Sequence, residues 1–324
     1  MEQSPRKTYR KAWQRDEENP PAFKLQERDR ELIKLIYEYR FLTSDQVADL
    51  FLLDHPRDPI TGRAYSARGV KHRLFKLYHH GFLSRPEEAK VLRALQGKSL
   101  PYIYGIGPRS TRILVEKGYD RKQIKGALKE PGYRYLEHSL MVTTFHIALV
   151  KALKERSDWW LIFWKNEGKE TRDAWTERGE GRRFRYVINP DAYFSLQGPE
   201  GPMFFFLEAD RGTVSFERFR WKIESFTHFW REKRHLRKPF EMFEIKEGER
   251  KEKPFKVMIV TTRSERKEAL RRIAREADPR GIGLRLFWFG LAEEYAEDWK
   301  KILEPIWQLA DEEKRYSLLQ RHFH

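Results

Sequence analysis

Three carboxylates flank the most apolar stretch of the chain. Residues 189–213 read Asn-Pro-Asp-Ala-Tyr-Phe-Ser-Leu-Gln, a Gly/Pro turn, then Met-Phe-Phe-Phe-Leu-Glu-Ala-Asp-Arg-Gly-Thr. Two apolar runs joined by Gly198-Pro199-Glu200-Gly201-Pro202 predict a β-hairpin. Asp191 opens its first strand, and Glu208 and Asp210 close the second. Residues i and i+2 of a strand share a face, so Glu208 and Asp210 are expected to project together, with Asp191 at the same end of the hairpin. Carboxylates so gathered need a counter-charge. A divalent metal, Mg²⁺ or Mn²⁺, held by Asp191, Glu208 and Asp210 is one answer, and its chemistry is the activation of water. A structural ion network with Arg211, Arg218 or Arg220 is the other.

The elements that must hold these acids follow from periodicity. Beyond residue 127 the pattern predicts a helix at about 134–155 and strands at 159–165, 184–196 and 203–210. A helix at about 215–232, a basic loop over 233–254 and a strand at 255–261 come next. A helix at 264–277, a strand at 284–289 and a helix at about 292–310 complete the series. This order predicts an α/β sheet with helices on its faces. The helix after the hairpin has Phe216, Phe219, Ile223 and Phe226 as its apolar stripe. Lys222 lies at the edge of that stripe, where a long side chain can reach the strand ends.

The region before residue 127 has a different character. It holds 26 Lys and Arg against 16 Asp and Glu, a net +10 out of +16 for all 324 residues. Residues 1–24 are polar and basic and read as a mobile arm. Residues 25–126 predict three helices, a strand, a charged wing and a second strand, the order of a winged helix-turn-helix. Thr43 and Gln46 form a capping-box pattern for the second helix, and Gly81 is placed to end the third. The third helix has Val70, Leu74 and Leu77 on its core face. Arg68, Lys71, Arg73 and Lys76 are assigned to its outer faces as contacts for double-stranded DNA.

Composition narrows the alternatives. The charge excess predicts a polyanionic partner. The absence of cysteine excludes disulfides and thiolate-bound metal. No apolar run approaches the ~18 residues of a membrane span, and no secretory signal opens the chain. A cytoplasmic protein with no membrane partner is expected, with a homodimer left open. His322-Phe323-His324 has a metal-binding form but sits at the extreme C-terminus.

The α-β-β-β-α-β order, Pro190-Asp191 and the Glu-Ala-Asp-Arg-Gly-Thr segment resemble the PD-(D/E)xK nuclease fold. With the winged helix, Glu137-His138 at the start of a long helix and Lys222, the whole resembles the replication-relaxation family of plasmids and other mobile elements. The resemblance implies a metal-dependent DNA endonuclease or nickase acting in replication or mobilisation. Within it, Asp191 and Glu208 match the metal-binding acids, Glu137 matches an accessory ligand, and His138 is a ligand or base. The chain departs from the motif at Asp210, which stands where the lysine belongs. The resemblance then implies Lys222 as a migrated lysine. A non-catalytic initiator or regulator with a degenerate nuclease fold remains the alternative.

Overall fold

The computed structural model describes residues 14–16, 18–89, 101–179, 182–246, 249–279, 281 and 283–320. The chain forms two compact units, Met1–Thr143 and Thr144–His324. This division falls later than the boundary expected at residue 127. The reason is Leu136, which is fully buried in a cluster with Phe41, Ala89 and Ile103 and so ties the start of a long helix to the first unit.

The first unit runs α1 (Glu27–Tyr39), β1 (Leu42–Thr43), α2 (Ser44–Asp54), α3 (Ala67–His79), β2 (Leu83–Ser84), β3 (Ile103–Ile106), α4 (Ser110–Glu116) and α5 (Arg121–Ala127). Its strands form an antiparallel sheet in the order β1-β3-β2. Residues 90–100, in the connection between β2 and β3, lie outside the described residues, as do His322-Phe323-His324. The local signals act as their chemistry requires. Thr43 Oγ1 accepts from the Gln46 amide at 3.1 Å, and Gln46 Oε1 accepts from the Thr43 amide at 2.9 Å. Gly81 follows α3 with φ of 73°, a conformation that a side chain disfavours.

The described part of the expected arm is not a loose tail. Arg15 donates to the Tyr78 carbonyl at 2.8 Å and to the Leu83 carbonyl at 3.0 Å. The Asp16 amide donates to His79 Nδ1 at 2.8 Å, and Phe23 stacks on His80 with ring centroids 4.7 Å apart. A low overall hydropathy conceals these few strong contacts, which strap Arg15, Asp16 and Phe23 along the C-terminal end of α3.

Helix α6 (Tyr133–Lys154) leads into the second unit. There follow β4 (Trp160–Asn166), β5 (Asp173–Gly179), β6 (Arg182–Ile188), β7 (Ala192–Gly198), β8 (Gly201–Asp210) and α7 (Phe216–Arg231). The remaining elements are β9 (Phe243–Lys246), β10 (Glu249–Glu252), β11 (Phe255–Thr261), α8 (Ser264–Ala277), β12 (Phe287–Leu291), α9 (Ala292–Ala296), β13 (Pro305–Leu309) and β14 (Arg315–Ser317). Seven strands form a mixed sheet in the order β14-β13-β12-β11-β8-β7-β4. Strands β4, β7 and β8 are an antiparallel meander, and β8, β11 and β12 are parallel. The protein is therefore a mixed α/β fold, as its pattern predicts.

Three expectations need correction. The loop foreseen over 233–254 holds the antiparallel strands β9 and β10. The single strand foreseen at 184–196 is two strands in different sheets. Pro190 has no N–H to donate, and the chain breaks there: Arg182–Ile188 pairs with Asp173–Gly179 in a separate hairpin, while Ala192–Gly198 joins the main sheet. The helix foreseen at 292–310 stops at Ala296, and Pro305 opens β13 instead. A proline deep inside a helix would remove one hydrogen bond and clash with the preceding turn, whereas at the first residue of a strand it does neither.

Alternation along β8 builds both cores. Phe204 and Phe206 join Phe219, Ile223 and Phe226 of α7 and Leu270 and Ile273 of α8 on one face. Phe205 turns to the other, where Phe194 stacks on it at 4.8 Å and Phe145 of α6 meets Phe194 at 5.8 Å. His146, beside Phe145, lies flat on Trp164, 3.9 Å between centroids. Burial holds its pKa down at about 3, so the folded protein keeps it neutral where the unfolded chain takes up a proton. Stability is then complete above pH 6.5 and is lost as pH falls from 6.5 toward 3. His146→Phe, which preserves the stacked ring, should remove up to about 1.4 kcal/mol of acid sensitivity per pH unit in that window. Urea melts of both proteins at pH 4 and 7 measure this; equal pH dependence would contradict it.

Candidate active site

The two acids of β8 lie on the face that Phe204 and Phe206 share, where the aromatic core ends. Both are deeply buried, each 5% exposed. A carboxylate in such a place must be paired or lose its charge, and each is met by a cation from a different helix. Lys222 of α7 forms an ion pair with Glu208. Arg266 of α8 grips Asp210 with two bonds, Nε to Oδ2 at 2.7 Å and Nη2 to Oδ1 at 3.1 Å. The same guanidinium donates to the Val214 carbonyl at 2.7 Å and lies over the Phe216 ring at 4.7 Å.

Asp191 joins them from the neighbouring strand. Its amide donates to the Leu207 carbonyl at 2.9 Å, and its Oδ2 accepts from the Ala209 amide at 2.7 Å. These two bonds bracket Glu208 and set the two carboxyl groups side by side. Lys222 responds to both. Burial by itself would lower its pKa, but the charges of Glu208 and Asp191 outweigh burial and hold the ammonium above its ordinary value. An acid just before β7, another on β8 and a lysine from the following helix thus form one constellation, Asp191–Glu208–Lys222.

The expected three-acid site is not formed. Among the described residues no three His, Cys, Asp or Glu side chains gather as a metal site. Asp210 is committed to Arg266 through two charge-assisted hydrogen bonds, a bidentate pairing that is strong and geometrically specific. Lys222 and Arg266 pair with Glu208 and Asp210, and Arg220, one of the foreseen partners, pairs with Glu276 at 2.7 Å. Arg266 escaped the sequence argument, yet a signal exists. Strands β8 and β11 are parallel with Asp210 level with Thr261, so the first turn of the helix after β11 opens at the end of β8 where Asp210 sits. Glu137 and His138 are half-buried on α6 within the first unit.

A divalent cation suits the pair that remains. Mg²⁺ is commonly held by one or two carboxylates, with water and substrate phosphate completing its shell. Asp191 and Glu208 supply that donor set.

On α3 the outer face is Arg68, Lys71, His72 and Phe75, at i, i+3, i+4 and i+7, all exposed. Lys71 forms an ion pair with Asp45. Lys76 donates to the Ala22 carbonyl at 2.9 Å. Arg73 does not belong to the outer face. It is buried and bound to Asp29 of α1, with Nε to Oδ1 at 2.8 Å. Its helical position falls between Val70 and Leu77, inside the apolar stripe, so it locks α1 to α3.

The model of the replication-relaxation family matches residues 33–240. The chain belongs to that family. No curated protein matches it. Among solved structures, restriction endonuclease FokI is similar over 86% of this chain and 45% of its own, at 10% identity and a TM-score of 0.27. The chain thus spans less than half of that protein, and its fold is read from strand order and register. The family's stretch ends at residue 240, beyond Lys222 but before Arg266, so the Asp191–Glu208–Lys222 constellation lies wholly within it.

The two ion pairs can be told apart by mutation. Arg266→Met leaves Asp210 buried without its partner and should cost about 3–5 kcal/mol. The Asp210→Leu/Arg266→Met protein should recover much of that loss. Chemical denaturation of the three proteins measures both effects, and a double variant no better than the single one would contradict the pairing.

Proposed function

We propose that this member of the replication-relaxation family is a metal-dependent DNA endonuclease or nickase acting in replication or mobilisation. The observation that carries the reading is the placement of the Lys222 ammonium against Glu208, with Asp191 beside it. The lysine missing from the position of Asp210 is supplied by the next helix. The winged-helix order and the basic face of α3 support double-stranded DNA as the substrate.

In this reading Asp191 and Glu208 hold Mg²⁺ or Mn²⁺, which supplies Lewis acidity at the scissile phosphate. Lys222 has a different task. Because its pKa is raised, it stays protonated at neutral pH and is no general base. Its charge serves to hold a phosphate oxygen or the attacking water and to offset the negative charge that builds in the transition state. Asp210 and Arg266 fix the end of β8 and the start of α8 and touch no substrate. Arg68 and Lys71 contact the duplex.

Supercoiled DNA carrying the native origin, incubated with Mg²⁺ or Mn²⁺, should give an open-circle band. Glu208→Ala should abolish it with DNA affinity nearly unchanged. Lys222→Ala should slow it by roughly 10²–10³-fold, the effect of removing one transition-state stabiliser. Divalent ions should raise the melting temperature of the wild type but not of Asp191→Ala/Glu208→Ala. The second reading, a regulator that binds without cutting, is favoured by one feature: Lys222 is already neutralised by Glu208. A wild-type protein that binds its origin, shows no thermal response to either metal and never nicks would establish that reading and overturn the enzyme.

DNA binding is tested separately. Arg68→Ala/Lys71→Ala should weaken duplex binding by about tenfold and flatten its salt dependence. Arg73→Ala should instead lower stability, because it strands the buried Asp29. If Arg73→Ala leaves the melting temperature intact while weakening binding, the assignment of Arg73 to the core is wrong.

A further inference from the structure

The hairpin of β5 and β6 is inserted between the first two strands of the meander and forms a sheet of its own. Its two faces have opposite electrostatic character. Register sets Asp173 opposite Ile188, Trp175 opposite Tyr186 and Glu177 opposite Phe184, so these six share one face. That face lies toward α7: Tyr186 stacks on His228 at 4.2 Å, and Trp175 meets Phe229 at 6.3 Å. The acids of this face are spent locally. Asp173 receives two bonds from Arg234, at 2.6 and 2.9 Å. Glu177 accepts from the Trp175 indole at 2.7 Å and lies 3.1 Å from His228 Nδ1.

The opposite face has Ala174, Thr176, Arg183 and Arg185, all exposed. Neither Arg183 nor Arg185 has an ion-pair or hydrogen-bonding partner among the described residues. No acid stands across from them either, since Arg183 is level with Arg178 and Arg185 with Thr176. Small neighbours leave the guanidinium groups open to a flat approach. Strand β6 then runs directly into Pro190-Asp191. Arg185 is six residues before Asp191, no more than ~21 Å of extended chain, which corresponds to about six base pairs of duplex.

We propose that the outer face of the β5–β6 hairpin is a second DNA-contacting surface, on which Arg183 and Arg185 hold the phosphate backbone of duplex DNA to one side of the acids. The inference rests on the DNA-cleaving reading of the site. It adds a contact that the winged-helix order does not predict. The fork geometry of arginine suits phosphate oxygens, and contacts of this kind position the duplex without reading its sequence.

The test is a binding titration of the full-length protein on a fluorescent duplex in EDTA across a series of salt concentrations. Arg183→Ala/Arg185→Ala should lower affinity by about tenfold and reduce the slope of log K against log salt by about 1.8, or 0.9 per lost phosphate contact. Arg183→Glu/Arg185→Glu should lose more. Lys301→Ala/Lys314→Ala, a charge-matched change at exposed positions of the same unit, should leave both quantities close to wild type. Melting curves should match throughout, because these exposed side chains form no ion pair or hydrogen bond among the described residues. An unchanged slope in the arginine variant, or a loss no larger than in the lysine control, overturns the proposal while leaving the cleavage reading intact. A wild type that binds no duplex overturns both. Nicking plays no part in the readout, so a failure of the chemistry leaves the binding result standing.

Discussion

Strand β8 has to do two incompatible things on one face. Its alternation places Phe204 and Phe206 in the aromatic core and then, with no change of side, delivers Glu208 and Asp210 into nearly the same depth. Ionised carboxylates are not tolerated there alone. The helices packed against that face must therefore each contribute a cation, Lys222 from α7 and Arg266 from α8. The helix stripes that bury against the phenylalanines fix where those cations fall. Site and core are in this sense one construction, and α7 could not turn about its axis without stranding Glu208.

The two pairs are chemically unequal, and the difference separates structure from function. Arg266 is held by a carboxylate, a carbonyl and an aromatic face, and its side chain is 13% exposed. Such a group has nowhere to go. Lys222 is a single ammonium on a flexible stem, 29% exposed, under the pull of two carboxylates. An ammonium with that mobility can exchange one anionic oxygen for another, which is what contact with a phosphate asks of it. The first unit uses the rigid kind of pair again, with Arg73 and Asp29 joining α1 to α3.

What could be read in the chain divides along the same physical lines. Periodicity located most helices and strands, because amphipathic spacing is local. Thr43, Gln46 and Gly81 were legible because caps involve neighbours in sequence. The proximity of Asp191, Glu208 and Lys222 was legible because a strand's alternation and a helix's stripe say which way each side chain leans. The failures are non-local. Arg73 looked like one more basic residue until its place beside Val70 and Leu77 was weighed against its charge. Arg266 could be foreseen only by knowing that β8 and β11 are parallel neighbours. The strand at 184–196 seemed continuous because apolar residues run up to Ile188 and resume at Ala192, and the partner that takes its first half lies just before it in the chain.

Net charge, which first pointed to a polyanion, is a coarse guide to where that polyanion would lie. Residues 126–324 hold 39 Lys and Arg against 33 Asp and Glu, a balance that by itself argues for little. Yet position matters more than number. Asp173, Glu177, Glu208 and Asp210 are each matched by a cation or a ring nitrogen within the fold, so their charge is largely cancelled before it reaches solvent. Among the described residues, Arg183 and Arg185 have no such partner. A unit that is nearly balanced in composition thereby presents a locally positive surface, and it does so on the strand that leads into Asp191. Because fields at a surface are set by the unpaired charges nearest to it, this outer face attracts anions whatever the balance of the whole unit.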